Sequence, residues 1–195
     1  MIKVVLAGPP RSGKSCLREA LKQAIRMIPG APYPYVITAC PDGEGAWFQE
    51  AMNQDESLAR ACKAAYKSVF TPEFVRRVAD NVRQCAGVDL VLVDIGGRIS
   101  AENEAICAGA THMLIISGDP EKFSEWRAFA FKLGLTVVAE VYSDYNGTKD
   151  SVRGVGQDGI FRGSVHHLER GEPAHERPTV RALAELLVRL VADEK

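Results

Sequence analysis

Three features of the sequence predict an α/β protein with a doubly wound, mostly parallel sheet of about five or six strands and helices on both faces. First, apolar β-prone runs alternate with segments of helical spacing along most of the chain. Second, residues 88–93 form a nearly continuous apolar run, which is typical of a parallel strand covered on both faces. Third, a glycine-containing turn joins the first predicted strand, residues 2–7, to the first predicted helix, residues 16–27.

This turn matches the phosphate-loop pattern G-x-x-x-x-G-K-[ST] at every fixed position and lies between a strand and a helix, as the pattern requires. In such a loop, backbone N–H groups and the helix dipole bind phosphate. Lys14 is placed to reach the β- and γ-phosphates of a nucleotide, and the Ser15 hydroxyl to coordinate Mg²⁺. The predicted nucleotide contacts are the loop and the residue after it: Gly8, Pro9, Pro10, Arg11, Ser12, Gly13, Lys14, Ser15 and Cys16. The pattern predicts a P-loop NTPase fold that binds ATP and Mg²⁺.

The other elements follow from local patterns. The later predicted strands lie at residues 35–39, 88–93, 112–117, 135–142 and 160–168. The later predicted helices lie at residues 71–85, 101–108, 119–133 and 180–191. Residues 46–69 have helical spacing with a break at 54–57, and residues 143–159 form a polar, glycine-rich loop that is a candidate lid. Trp126 belongs to an apolar helical stripe and is assigned to core packing.

A second motif, residues 94–98, directly follows the apolar run at residues 88–93. Asp94 is predicted to bind Mg²⁺ directly or through water, although an ordinary turn residue is the alternative. Gly96 and Gly97 let the backbone approach a γ-phosphate, and Arg98 is a candidate for stabilising the transferred phosphoryl group. Ile95 stands where ring-forming ATPases usually carry a glutamate, so the sequence lends no support to a hexameric motor.

Two carboxylates follow the predicted strand at residues 35–39, in the turn that contains Asp42 and Glu44. We expect them at the same edge of the sheet, where they would surround the metal, orient a water or accept a proton from a hydroxyl. A solvated acidic turn is the alternative. The predicted catalytic residues are Lys14, Asp42, Glu44, Asp94 and Arg98.

Composition narrows the functional class. The net charge of −1 disfavours nonspecific nucleic-acid binding, and 46% hydrophobic residues suit one globular domain over residues 1–195. The short apolar start predicts neither a leader nor a membrane span, so we expect a cytoplasmic protein.

The N-K-x-D signature of guanine recognition is not matched, since Ser151 stands at its aspartate position, which favours ATP over GTP.

Several segments together resemble a known family. The runs GPPRSGKS, CPDGEGAWFQEA, TPEF, VDIGGRISAEN, LGLT and LERG, with the Trp126 helix and Ser143-Asp144, resemble the P-loop ATPase-like domain that accompanies a CRISPR-associated ring nuclease of type III systems. The resemblance covers most of the chain and implies association with cyclic oligoadenylate signalling or a ring-nuclease partner. It maps Gly13, Lys14, Ser15 and Asp94 onto the nucleotide site, and Asp42, Glu44 and Arg98 onto motif positions.

The sequence therefore favours an ATP phosphohydrolase or regulatory ATPase. Two alternatives stay open at this point. A small-molecule or nucleotide kinase fits the chain length and would use Asp42 and Glu44 on an acceptor hydroxyl. A nucleotide-gated interaction module, in which ATP orders the surface of a homo-oligomer, needs no turnover.

Overall fold

The computed structural model describes residues 1–40 and 70–194. Its strands in chain order are β1 (Ile2–Ala7), β2 (Pro34–Ala39), β3 (Leu90–Ile95), β4 (His112–Ser117), β5 (Thr136–Asp144), β6 (Ser151–Val155) and β7 (Phe161–His166). Its helices are α1 (Lys14–Met27), α2 (Pro72–Gln84), α3 (Ala101–Cys107), α4 (Lys122–Lys132) and α5 (Pro178–Asp193). The predicted helical segments at residues 46–69 and the turn of Asp42 and Glu44 lie outside the described residues.

Within the described residues, the strands form one seven-stranded sheet in the order β2-β3-β1-β4-β5-β7-β6. All neighbouring strands run parallel except β6 and β7, which are antiparallel. β1 lies between β3 and β4, and later strands lie on both sides of it. The mostly parallel, doubly wound sheet is confirmed, but it has one or two strands more than the about five or six expected from the alternation of elements.

Separate hydrophobic clusters cover the two faces of the sheet. Side chains of α1 and α5 pack on one face, and side chains of α2, α3 and α4 pack on the other. Within β1, Val4 and Leu6 join the first cluster, whereas Val5 and Ala7 join the second, because successive strand residues point to opposite faces. Helices on both faces are therefore confirmed.

Trp126 lies in the core, as its helical spacing predicts. The side chain is 2% exposed, and its ring packs edge-on against Phe129 at a centroid distance of 5.5 Å. Such pairs contribute about 0.5–1.5 kcal/mol beyond the burial of their area. None of the helices in the described part of the chain is both long enough and apolar enough to cross a membrane.

The predicted loop at residues 143–159 is the main difference from the sequence-based assignment. β5 continues to Asp144, and Ser151–Val155 forms β6, the additional edge strand. Its residues are mostly exposed and have no apolar alternation, so the strand depends on its pairing with β7. The fully buried carboxylate of Asp150 anchors this segment by accepting from the backbone N–H groups of His166 and Thr179, each at 3.1 Å.

Candidate nucleotide-binding site

The loop between β1 and α1 has the tight path that its glycines predict. Gly8 has φ of 144°, and a Cβ added there would lie 1.9 Å from the carbonyl oxygen of Ile116 on β4. Gly13 has φ of 84°, and its added Cβ would lie 2.9 Å from Leu168 Cδ1, beyond the end of β7. The loop is therefore held between β4 and the segment after β7, and a side chain at either glycine would displace it.

The Lys14 side chain folds back over this loop. Its ammonium donates hydrogen bonds to the carbonyl oxygens of Gly8 at 3.0 Å and Pro9 at 2.8 Å, and the residue is 8% exposed. The Ser12 hydroxyl is buried inside the loop and has no hydrogen-bond partner among the described residues. A buried donor of this kind calls for an acceptor, and a phosphate oxygen is one that fits a loop of this shape.

The loop opens into a cavity of about 570 Å³ at the edge where the parallel strands end. The lining comes from the loop, the ends of β2 and β3, and the turns after β5 and β7: Pro10, Arg11, Ser12, Gly13, Lys14, Ser15, Cys16, Thr38, Cys40, Asp94, Ile95, Gly96, Gly97, Tyr145, Leu168, Glu169 and Arg170. All the predicted nucleotide contacts except Gly8 and Pro9 are in this set. The sheet thus brings both motifs to one cavity.

Asp94 occupies the place in the sheet that a metal ligand would need. It is 3% exposed, and its register partner on β1 is Leu6, two residues before the phosphate loop begins. Asp94 and Ser15 line the same cavity. A carboxylate and a hydroxyl are hard oxygen donors of the kind that Mg²⁺ prefers, so this donor set fits Mg²⁺.

A buried cation contacts Asp94. The Nη1 atom of Arg18 donates to Asp94 Oδ2 at 3.3 Å, and the two side chains are 8% and 4% exposed. Arg18 lies one helical turn after Lys14 on α1, on the same side of the helix. The sequence analysis did not single out Arg18, although its spacing of four residues from the phosphate-loop lysine was an available signal.

The turn after β3 approaches the phosphate loop closely. A Cβ added to Gly97 would lie 2.5 Å from the backbone nitrogen of Pro10, so only glycine fits there without displacing the loop. The buried amide of Asn103 holds the turn in place by donating to the carbonyl oxygens of Gly96 at 3.0 Å and Arg98 at 2.6 Å. Asn103 was missed as a positioning residue, because nothing in its sequence context marks the direction of its side chain.

The predicted catalytic residues divide into three groups. Lys14 and Asp94 meet at the cavity. Arg98 is exposed, and its side chain is not part of the cavity lining, although its backbone joins the turn described above. Asp42 and Glu44 lie outside the described residues. Their roles stay predictions.

Part of the cavity lining comes from the segments after β5 and β7, whose residues were given no role in the site by the sequence analysis. Tyr145, after β5, donates from its hydroxyl to Glu169, and its ring lies 5.0 Å from the ring of His167. The hydrogen bond to Glu169 raises the pKa of the Tyr145 hydroxyl above its ordinary 10, because loss of the proton would break that bond and place two negative charges side by side. Leu168 and Arg170 complete this part of the lining. Residues distant in sequence meet here because the ends of β5 and β7 are adjacent.

Cys16 lies next to Ser15 in the cavity lining. Burial is the largest cause of a raised pKa for its thiol, opposed by the nearby guanidinium of Arg170. A thiol with a raised pKa is a poor nucleophile at neutral pH. Cys16 therefore suits a contact role and not covalent chemistry.

Comparison with known proteins supports the architecture. No protein-family model matches the chain, and no curated protein has a significantly similar sequence. The septum site-determining protein MinD of Pyrococcus horikoshii, complexed with Mg-ADP, has a TM-score of 0.62 and 10% identity, and the match covers 100% of this chain and 99% of that one. A plasmid partition protein of Borrelia burgdorferi bound to AMPPNP has a TM-score of 0.59 and 8% identity, with the same coverage.

A third solved structure, pNOB8 ParA bound to nonspecific DNA, has a TM-score of 0.59 and 12% identity over 100% of both chains. Identities this low show similarity of fold, here along the full length of the chain. The phosphate loop occupies the turn after the interior strand β1, and a buried aspartate lies near the end of the adjacent strand β3. The chain has the P-loop NTPase fold.

Proposed function

We propose that this protein binds ATP with Mg²⁺ and hydrolyses the γ-phosphate. The observation that carries the proposal is the meeting of Lys14, Ser15 and Asp94 at one cavity beside a loop shaped by Gly8 and Gly13. In the proposed complex the loop N–H groups and Lys14 hold the phosphates, and Ser15 and Asp94 hold the metal. Bound Mg²⁺ would neutralise charge that develops on the phosphate oxygens.

The size and charge of the cavity support a nucleotide ligand. Its volume of about 570 Å³ lies within the range of pockets that hold small molecules and cofactors. Among the described lining residues, the cations Arg11, Lys14 and Arg170 outnumber the carboxylates Asp94 and Glu169. A cavity with a positive excess favours a polyanion such as a triphosphate.

The similar solved structures add support for an adenine nucleotide, since one contains AMPPNP and another contains Mg-ADP. Hydrolysis is favoured over transfer to a second substrate by the position of residues 143–159. The kinase alternative would use this segment as a lid, whereas part of it is paired in the sheet as the end of β5 and as β6. Asp42 and Glu44 remain our proposed residues for orienting the attacking water.

The proposal is tested by measuring phosphate release from Mg-ATP by the purified chain. We expect release by the parent protein and its loss in Lys14→Ala and in Asp94→Asn. Release that persists in both variants at the parental rate would overturn the proposed site. Tight ATP binding with no release would instead favour a kinase that lacks its acceptor, or a nucleotide-gated interaction module.

A narrower proposal, based on the sequence resemblance, is that this ATPase acts beside a CRISPR ring nuclease and responds to cyclic oligoadenylate. The supporting segments are GPPRSGKS, CPDGEGAWFQEA and VDIGGRISAEN. The similar solved structures are partition and septum-site proteins, and they add no support for this association. The same phosphate-release assay with and without cyclic oligoadenylate tests it, and an unchanged rate together with no binding of the ring would contradict it.

A further inference from the structure

The Arg18–Asp94 ion pair lies directly behind the proposed metal site. Asp94 lines the cavity, whereas Arg18 does not, and both side chains are at least nine-tenths buried. The Nε atom of Arg18 is buried without a hydrogen-bond partner among the described residues. The second nitrogen, Nη2, lies 3.8 Å from Glu19 Oε2. The guanidinium is therefore fixed against Asp94 by burial and by one direct hydrogen bond.

A fixed cation at this distance changes what Asp94 can bind. In a partly buried setting, a unit charge within a few ångströms opposes the approach of a divalent cation by an amount that changes its affinity severalfold to many-fold. Lys14 lines the same cavity and adds a second positive charge. Before nucleotide binds, the negative charge of Asp94 is thus offset by the adjacent Arg18, so a bare divalent ion gains little there.

We infer that Arg18 is the resident counter-ion of Asp94 and makes the site accept a divalent metal only together with the nucleotide phosphates. The phosphates bring the negative charge that Arg18 otherwise offsets, so metal and nucleotide enter as one unit. Arg18 acts on the metal through Asp94 and is a positioning residue. This inference rests on the proposed role of Asp94 as a metal ligand.

The test is the binding of Mn²⁺, a paramagnetic substitute for Mg²⁺, measured by electron paramagnetic resonance in the absence of nucleotide. Arg18→Gln keeps an amide donor for Asp94 and removes the charge. We expect this variant to gain Mn²⁺ binding at Asp94 with an affinity at least about tenfold above the parent. A gain of binding is informative, because loss of structure alone does not create a site.

Three variants define the signal. Arg18→Gln combined with Asp94→Asn should lose the gain, which separates binding at Asp94 from background sites such as His167, Glu169 and Glu172, whose ligand atoms lie within 4.8 Å of one another. Arg18→Lys keeps the charge and should bind as weakly as the parent. Arg26→Gln, on an exposed residue of the same helix, is the matched control and should change nothing.

The inference fails if folded Arg18→Gln binds Mn²⁺ no better than the parent. Removing one partner of a buried pair destabilises a protein, so folding is checked by circular dichroism. If Arg18→Gln does not fold, the parent is compared with Asp94→Asn instead. Nucleotide-free Mn²⁺ binding that depends on Asp94 in the parent would overturn the inference, and its absence supports it.

Adding ADP separates this inference from the proposed function. The parent should take up Mn²⁺ when ADP is present, and Asp94→Asn should not. If the parent takes up no metal even with ADP, the proposed nucleotide site itself is wrong. If uptake with ADP is normal but Arg18→Gln shows no nucleotide-independent gain, only the role of Arg18 is wrong.

Discussion

Two buried lysines, Lys3 and Lys14, lie at opposite ends of the sheet and make the same kind of contact. Lys3 is 5% exposed and donates to the carbonyl oxygens of Val82 at 2.6 Å and Arg83 at 2.9 Å. Lys14 is 8% exposed and also donates to two backbone carbonyls of its own region. Burial and hydrogen bonding alone do not distinguish them.

The surroundings of the two lysines distinguish them. The acceptors of Lys3 belong to the last turn of α2, where carbonyls have no partner within the helix, so Lys3 completes that helix end. Lys14 lines a large cavity beside a phosphate loop, and its acceptors are loop carbonyls next to that open space. The comparison teaches that a buried lysine at the amino-terminal edge of this sheet stabilises the fold, whereas one at the carboxyl-terminal edge is available to a ligand.

The largest expected effect is that of Lys14→Ala on nucleotide binding. The variant loses charge-assisted contacts to phosphate worth about 1.5–3 kcal/mol each, so we expect Mg-ATP affinity to fall on the order of a hundredfold. Isothermal titration calorimetry measures this. Parental affinity in the variant would contradict the assignment of the phosphate site.

Lys3→Met should have the opposite profile. It removes the ammonium that completes α2, and we expect the free energy of unfolding to fall by about 2 kcal/mol. Mg-ATP affinity should stay unchanged in the folded variant. Urea unfolding and calorimetry measure the two quantities, and a loss of affinity with unchanged stability would reverse the comparison.

A smaller effect is expected for Gly97→Ala. The added Cβ would lie 2.5 Å from the Pro10 nitrogen and would push the phosphate loop away, so we expect affinity for Mg-ATP to fall by about fivefold. Gly96→Ala is the comparison at a second cavity-lining glycine, where the added Cβ meets the nearest atoms at 3.4 Å and does not touch the phosphate loop, so we expect a smaller loss. Equal affinities in the two variants would show that the close approach has no consequence for binding.

The smallest effect concerns pH and the end of the sheet near Lys3. Thr111 accepts from the Lys3 backbone N–H at 2.9 Å, and its hydroxyl lies 2.8 Å from His112 Nδ1. Burial lowers the pKa of His112 below its ordinary 6.5, against a weaker opposing effect of Glu194. Because the unfolded chain then binds the proton more readily, stability should decline as pH falls below 6.5.

His112→Gln removes this titration and should make the decline in stability shallower. Urea unfolding across the acidic range, with His175→Gln as a comparison at another histidine, measures it. A slope that His112→Gln leaves unchanged would assign the decline to other groups.

The comparison also separates what was predictable from what was not. The phosphate loop could be predicted because its glycines, Lys14 and Ser15 are adjacent in sequence and follow a strand. Arg18 and Tyr145 were missed because each contacts a partner distant in sequence, Asp94 and Glu169 respectively. Asn103 lies close in sequence to the turn at 96–98 that it holds, but nothing in the sequence marks the direction of its side chain. β6 was missed because its pattern is not strand-like, and its pairing with β7 supplies the backbone hydrogen bonds.

The sequence by itself determined the alternation of strands and helices, the phosphate loop and the carboxylate that ends the apolar run. These depend on local spacing and on backbone conformations that few residue types allow. Only the tertiary structure decided which cation contacts Asp94, which glycine must approach Pro10, and which residues after β5 and β7 line the cavity. These depend on strand order and register, which bring separate segments to one edge of the sheet.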